Sequence, residues 1–204
     1  HFRGLAGYWR VNGNSQTAIC GKWINSPGRT LLNKVKNDLE VDNLPIIAED
    51  LGVITPDVEK LRESFNLPGM KILQFAFDGN EDNPYLPKNI KGENWVVYTG
   101  THDNSTSLSW WKCLDSNSKS RIRDEFKFSD KPSWSLIEIG MNTNANLFIA
   151  PIQDILSLDD SCRLNKPGTT KNNWKWKLNQ PLEEIEENIR IFSKLGRDSG
   201  RVID

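Results

Sequence analysis

The feature that most constrains this chain is a recurrence of short apolar runs, several rich in β-branched residues, that end in polar or charged side chains. They cover residues 44–50, 70–77, 95–99 and 145–150. Each is too short for a helix and reads as a buried strand. Between them lie stretches with helical spacing or helix-start signals, at about 29–40, 56–64, 105–113, 119–126, 133–141, 152–156 and 178–194. Thr55-Pro56 followed by Asp57 and Glu59 predicts an N-cap, a proline at the first helical position and acids in the first turn. Buried strands alternating with helices imply a parallel sheet with helical cover, an α/β fold. Residues 1–30 are broken by Gly4, Gly7, Gly13, Gly21 and Gly28, and read as loop with short extended pieces.

Polar side chains collect where these strands end: Glu49-Asp50, Gln74 and His102-Asp103. Both a (β/α)8 barrel and an open doubly wound sheet place their ligands at that edge. No GxGxxG string stands at a strand–helix junction, which disfavours the dinucleotide-binding form of the open sheet. Four strand units are about half of a closed barrel, so more chain is needed to shut the sheet. A chain opening His1-Phe2-Arg3-Gly4 without methionine reads as processed or as a fragment.

Composition narrows the function classes. The 204 residues carry 26 basic and 27 acidic side chains, a formal charge of -1, which promises no basic stripe for nucleic acid. Cys20, Cys113 and Cys162 are odd in number and lack CxxC spacing, so neither a disulfide scaffold nor a thiolate metal site is expected and a reducing cytoplasm fits best. His1 and His102 are the two histidines, so a multi-histidine metal site cannot be built; a mixed site of His102 with a carboxylate stays open, although carboxylates and an arginine can stabilise charge without a metal, and no metal or other cofactor is expected. No run is apolar and long enough to span a membrane, and no signal peptide opens the chain. The eight tryptophans are unusual. Their flat rings either fill a core or stack on the apolar faces of sugars or bases.

Glu49 and Asp103 are the leading candidates for chemistry. Two carboxyl groups flanking a glycosidic bond can divide the labour, one ionised and one held partly protonated. Strand-end acids also serve as caps or surface charges, and Asp50 reads as support for the loop after Glu49. His102 suits a hydrogen bond to a sugar hydroxyl or a neighbouring carboxylate, or a structural role in its loop. Arg3 can hold a carboxylate ionised through a charged fork, or form a salt bridge at the rim. Asn104 can bind hydroxyls or cap the next helix. Tyr8, Trp9, Phe75 and Phe77 are candidate sugar platforms, with Phe75 and Phe77 on one strand face by period-two alternation. The loop 165–176 interleaves polar residues with Trp174 and Trp176, which suits an uncharged hydroxyl-rich polymer or single-stranded nucleic acid. Near-neutral charge favours the polymer.

At these positions the chain resembles glycoside hydrolase family 77, the 4-alpha-glucanotransferases. The matching strings are His1-Phe2-Arg3-Gly4 with Tyr8-Trp9; residues 47–56 around Glu49-Asp50; residues 67–77; Asn83-Pro84-Tyr85-Leu86-Pro87; Tyr98-Thr99-Gly100-Thr101-His102-Asp103-Asn104; Pro151-Ile152-Gln153-Asp154; and residues 165–168 with Trp174. The resemblance implies the C-terminal part of a (β/α)8 barrel, about strands 5 to 8, with residues 1–204 as one partial domain. It implies retaining transfer of α-1,4-glucan segments between malto-oligosaccharides by double displacement. Glu49 looks like the acid/base and Asp103 like the carboxylate that binds donor hydroxyls. His102, Arg3, Asn104, Phe75, Tyr8, Trp9, Asn173 and Trp174 look like substrate-side groups.

In the family the nucleophile is the aspartate directly before the His-Phe-Arg-Gly string. This chain starts at that histidine, so by itself it is expected to be inactive while its parent enzyme turns over. Asn172-Asn173-Trp174 stands where the family usually reads Gly-Asn-Trp; Asn tolerates a left-handed backbone. The rival expectations are an α-amylase-type hydrolase or branching enzyme, and a non-catalytic carbohydrate-binding or scaffold fragment.

Overall fold

Gly28 shows how the first part of the chain is packed. A Cβ there would lie 1.9 Å from the carbonyl oxygen of Leu5, so helix α2 (Gly28–Asp38) meets the short helix α1 (Arg3–Ala6) with no side chain between them. Between these helices runs an antiparallel hairpin, β1 (Gly7–Val11) with β2 (Gly21–Asn25), whose register sets Trp9 opposite Trp23. Helix α3 (Pro56–Ser64) follows, and Phe2, Leu32, Leu44, Ala48, Val58, Leu61 and Leu67 form the local core. The hairpin strands are the short extended pieces expected over residues 1–30, and the short helix α1 is what that expectation lacked. In the computed structural model, which describes residues 1–201, these elements belong to one compact unit ending at Met70, and a second begins at Lys71. The last three residues of the 1–204 range lie outside the described residues.

Residues 44–50 do not form the expected strand. Ala48 donates its N–H to the carbonyl of Pro68 at 2.8 Å, and Phe2 donates to that of Glu49 at 2.9 Å. A ladder needs donors on both sides, and Pro45 and Pro68 have none. The segment is held instead by a side chain. The buried carboxylate of Asp50 accepts from the Met70 N–H at 2.7 Å and pairs with Arg62 Nε at 3.2 Å. Arg62 also donates to the carbonyl of Leu67 at 2.9 Å. Thr55 does occupy the N-cap of α3, but its hydroxyl makes no cap bond. It bonds the Asp57 carboxylate instead, and this is the largest of the effects that lower the Asp57 pKa.

A small sheet is ordered β3-β4-β5: β3 (Gly69–Ile72) runs from the end of the first unit into the second, and β4 (Trp95–Tyr98), central, and β5 (Leu147–Ile149), at the far side, belong to the second. Strands β4 and β5 run parallel, Val97 opposite Phe148. Helices α4 (Ser107–Cys113), α5 (Ser116–Phe126), α6 (Pro132–Met141), α7 (Ile152–Ile155) and α8 (Leu182–Asp198) complete the second unit. This is an α/β arrangement, and no closed eight-stranded barrel is present among the described residues. Helix α8 begins later than the periodicity suggests because Pro181 bars the preceding residue from helical geometry.

Strand β3 also stops short of the expected residue 77. At Leu73–Phe75 the chain tightens into a 3₁₀ turn, with the Gln74 N–H on the Thr99 carbonyl at 3.3 Å. Period-two alternation therefore fails here. Phe75 is 42% exposed, while Phe77 is 7% exposed and packs edge-on against Phe126 and Phe128. Trp110 and Trp111 join the same cluster, with Trp111 stacked on Phe128 at 5.0 Å. These two indoles fill core, as the plainer reading of the tryptophan content has it.

Helix α6 lies on β5 through Gly140, where an added Cβ would come within 2.1 Å of the Phe148 ring. Gly140→Ala should therefore destabilise the fold by about 1–3 kcal/mol through overpacking, although alanine is the better helix former. A denaturant titration would read this as a lower midpoint at unchanged slope.

Candidate active site

In the second unit the site begins with a buried carboxylate. Asp154, 1% exposed on α7, accepts from Thr99 Oγ1 at 2.5 Å, from Ser107 Oγ at 2.7 Å and from the Ser107 N–H at 2.7 Å. It thereby joins the end of β4 to the start of α4 and fixes the span of the turn between them. Burial raises the Asp154 pKa, and the three hydrogen bonds oppose that rise. Gly100 opens the turn where a Cβ would meet Gln74 Nε2 at 2.7 Å. Gln74 Nε2 donates to the Ser105 carbonyl at 2.9 Å.

Asn104 Oδ1 accepts from the Thr101 N–H at 2.9 Å and from Thr101 Oγ1 at 2.8 Å, so this amide braces the turn. The N-cap of α4 is Thr106, not Asn104; its hydroxyl accepts from the Ser109 N–H at 3.4 Å.

At the tip stand His102 and Asp103, both about half exposed, with His102 Nε2 3.4 Å from Asp103 Oδ1. Asn165 Nδ2 donates to the same carboxylate oxygen at 2.6 Å. Arg163 lies beneath and donates to the Asp103 carbonyl at 2.5 Å, to Ser105 Oγ at 3.1 Å and to the Asn165 carbonyl at 2.7 Å. The Trp174 ring sits 5.0 Å from the His102 ring and is 62% exposed. Its backbone is left-handed, φ 61°, held by a 2.6 Å bond from its N–H to the Leu164 carbonyl. That is a strained setting for a bulky residue, of the kind found at functional sites. Asn172, where the family usually has glycine, takes φ 62°, a conformation asparagine tolerates. Asn173 Oδ1 accepts from the Lys166 N–H at 3.1 Å, and its Nδ2 donates to the Thr169 carbonyl at 3.0 Å, closing the loop on itself. A cavity of about 80 Å³ opens among Thr101, His102, Asn104, Gln153, Asp154 and Arg163.

In the first unit Glu49 is half exposed, and its Oε2 lies 3.8 Å from the backbone nitrogen of His1. His1 Nε2 reaches the carbonyl of Leu51 at 2.8 Å, and Arg3 Nη1 donates to that of Val53 at 2.5 Å. The guanidinium of Arg3 then lies over the Trp23 ring, 4.3 Å from its centre. The opening string and the Glu49 loop thus run side by side through His1 and Phe2, while Arg3 is taken up by the Val53 carbonyl and the Trp23 ring. Tyr8 and Trp9 are exposed on the hairpin, with Trp9 edge-on to Trp23 at 5.6 Å. Phe75, in the second unit, is exposed and edge-on to Tyr85 at 5.5 Å.

Four residues escaped the sequence reading: Trp23, Asp154, Arg163 and Asn165. Asp154 and Asn165 lay within strings quoted for the resemblance, which was the available signal. Nothing local singles out Arg163 or Trp23. Among the described residues no group of three or more His, Cys, Asp or Glu is placed to hold a metal. No helix among them is long and apolar enough to cross a membrane.

The 4-alpha-glucanotransferase family, glycoside hydrolase family 77, matches residues 1–183. The 4-alpha-glucanotransferase of Thermus thermophilus is 42% identical over 186 residues, covering 87% of this chain and 37% of the relative. That of Synechocystis is 46% identical over 179 residues, with 87% and 35% covered. The chloroplastic/amyloplastic enzyme of Arabidopsis thaliana is 46% identical over 200 residues, with 97% and 34% covered. Among solved structures, the amylomaltase from Streptococcus agalactiae in complex with acarbose superposes with a TM-score of 0.90 at 30% identity, over 100% of this chain and 41% of that one. The amylomaltase from Corynebacterium glutamicum, at 16% identity and a TM-score of 0.72, shares the fold. The chain belongs to the 4-alpha-glucanotransferases of glycoside hydrolase family 77. It spans about a third of the length of these curated relatives.

The buried carboxyl gives a prediction with a definite sign. Because its folded pKa is raised above 3.8, Asp154 favours the folded state when protonated. That contribution is full below the unfolded value and is lost as pH rises through the folded one. Asp154→Asn should remove this pH dependence and stay within about 1 kcal/mol of the parent at neutral pH, its amide donating to the two hydroxyls. Asp154→Ala should cost about 2–4 kcal/mol, leaving buried donors unpaired. Thermal melts of both variants across pH would test this.

Proposed function

We propose that this chain takes part in transferring α-1,4-glucan segments from one malto-oligosaccharide to the 4-hydroxyl of another, supplying an acid/base in its first unit and a donor-orienting carboxylate in its second. The observation that carries the reading is the course of the opening string. Phe2 donates to the Glu49 carbonyl, and the His1 nitrogen lies 3.8 Å from the Glu49 carboxylate. In the family the nucleophilic aspartate directly precedes the histidine that matches His1, and this reading sets its attachment point beside the acid/base. Retaining glycosidases keep their two carboxyl groups about 5–5.5 Å apart, which needs such a neighbourhood. In this reading residues 1–204 are one partial domain, about strands 5 to 8 of a (β/α)8 barrel.

Glu49, as the acid, gives its proton to the glycosidic oxygen while the aspartate bonds to the anomeric carbon. The acceptor's 4-hydroxyl then attacks that carbon, breaks the enzyme–sugar bond and returns a proton to Glu49. Asp103, oriented by Asn165 and beside His102, accepts hydrogen bonds from donor hydroxyls as positive charge develops on the sugar. Trp174 offers an exposed ring face beside them, and the acarbose complex of the streptococcal relative supports an oligosaccharide ligand. No step in this scheme asks for a metal or other cofactor, and the 204 residues alone are proposed not to turn over.

The test is product analysis with maltotriose, using this chain and the longest natural polypeptide containing it. Glucose and a ladder of longer maltooligosaccharides from the longer protein are expected. Short products without a ladder would mean that water, not a sugar hydroxyl, resolves the intermediate, as in a hydrolase. In the longer protein, Glu49→Gln should lower kcat by about 10²–10⁴-fold with the ladder pattern retained.

A further inference from the structure

The carboxylate assigned to the donor sugar is held by a second segment of chain, residues 159–165, and Arg163 is the centre of the grip. This strap is fastened at its near end by Asp160. Asp160 Oδ1 accepts from the Thr106 N–H at 2.8 Å, and its N–H reaches Ser109 Oγ at 2.9 Å, both at the start of α4. From there Arg163 reaches back under the turn. One nitrogen takes the Asp103 carbonyl, a second takes Ser105 Oγ, and the third takes the carbonyl of Asn165. Its side chain is 19% exposed, and Asp160 Oδ2 lies 3.6 Å from Nη1 to balance the charge.

Asn165 closes the circuit. Its N–H bonds the His102 carbonyl at 3.2 Å and its Nδ2 bonds Asp103 Oδ1 at 2.6 Å. The Asp103 carboxylate is thus aimed by an amide whose own backbone Arg163 holds, on a turn whose carbonyl Arg163 also holds.

We infer that Arg163 is a positioning residue for transfer: it sets the direction of the Asp103 carboxylate, through Asn165 and the Asp103 carbonyl, without itself touching the sugar. The inference rests on the reading of Asp103 given under the proposed function. The planar guanidinium fork offers one nitrogen to each of the three acceptors. A lysine keeps the charge but has one nitrogen to offer. A carboxylate misplaced by an ångström or so forfeits about 10²-fold in rate, chiefly where its hydrogen bonds strengthen in the transition state.

The experiment is steady-state transfer from maltotriose by the longest natural polypeptide containing this chain, in four forms: parent, Arg163→Ala, Asp103→Asn, and both together. Arg163→Ala should lower kcat by about 10- to 100-fold, with KM moving far less. The melting temperature should stay within a few degrees of the parent's. Added guanidinium should restore part of the rate of Arg163→Ala, and an ammonium salt should not. On the Asp103→Asn background the arginine substitution should cost nothing further, because it acts through that carboxylate. Should Arg163→Ala unfold at the assay temperature, Arg163→Lys carries the same test, and a kcat loss at parental melting temperature is expected.

Parental kcat in a folded Arg163 variant would overturn the inference, as would full additivity with Asp103→Asn. If Asp103→Asn itself kept parental activity, the failure would lie in the role given to Asp103. An impaired Asp103→Asn beside an unimpaired Arg163→Ala would sink the positioning role alone.

Discussion

The second unit depends on one buried carboxylate. Asp154 is 1% exposed, yet it takes a hydrogen bond from the residue that follows β4 and two from the first residue of α4. A buried carboxyl without partners costs several kcal/mol, so those three donors are obligatory once Asp154 is inside. They pin the two ends of the turn 100–106 at a fixed separation. The residues between have room only for a tight excursion, and its tip carries His102 and Asp103. The group that sets this geometry is buried; the groups it displays are half exposed.

The same solution recurs with cations. Arg62 reaches the Leu67 carbonyl, and Arg163 those of Asp103 and Asn165. Arg201 takes those of Met141, Thr143 and Ala145. Each serves an irregular connection whose backbone acceptors have no ladder or helix to satisfy them. Strands here are short, three to five residues, so much of each unit is connection rather than regular element. Side-chain donors then do the work that sheet hydrogen bonds do elsewhere.

That division explains what could be read from the sequence. The helices over 28–38, 56–64, 107–113 and 132–141 follow from spacing and proline position, which are local properties. The strands at 95–98 and 147–149 follow from β-branched and aromatic runs. Residues 44–50 carry an equally good apolar run and form no strand, because strand formation depends on a partner's donors and Pro68 has none to give. Phe75 and Phe77 were paired on one face by a rule that holds only while the backbone stays extended. The chain tightens at Leu73–Phe75, where the Gln74 backbone N–H meets the Thr99 carbonyl and its side-chain amide the Ser105 carbonyl, 31 positions on.

The candidate site divides along the same line. Glu49, His102 and Asp103 are legible because they end apolar runs and stand in strings with family likeness. Asp154 stands in such a string too, but its role depends on partners 47 and 55 residues away, and nothing local marks Arg163, whose grip on Asp103 spans 60. Trp174 lies between these cases. Its type suggested a sugar platform, but its left-handed φ of 61° and its place beside His102 could come only from the folded loop. A bulky residue persists in that conformation only when its surroundings over-determine it, here through the Leu164 carbonyl and the Asn173 amide that closes the loop. The chain therefore spends backbone strain to hold one aromatic face beside the histidine–aspartate pair. A ring that had only to fill space would need no such constraint, and Trp111, stacked in the core, has a helical backbone.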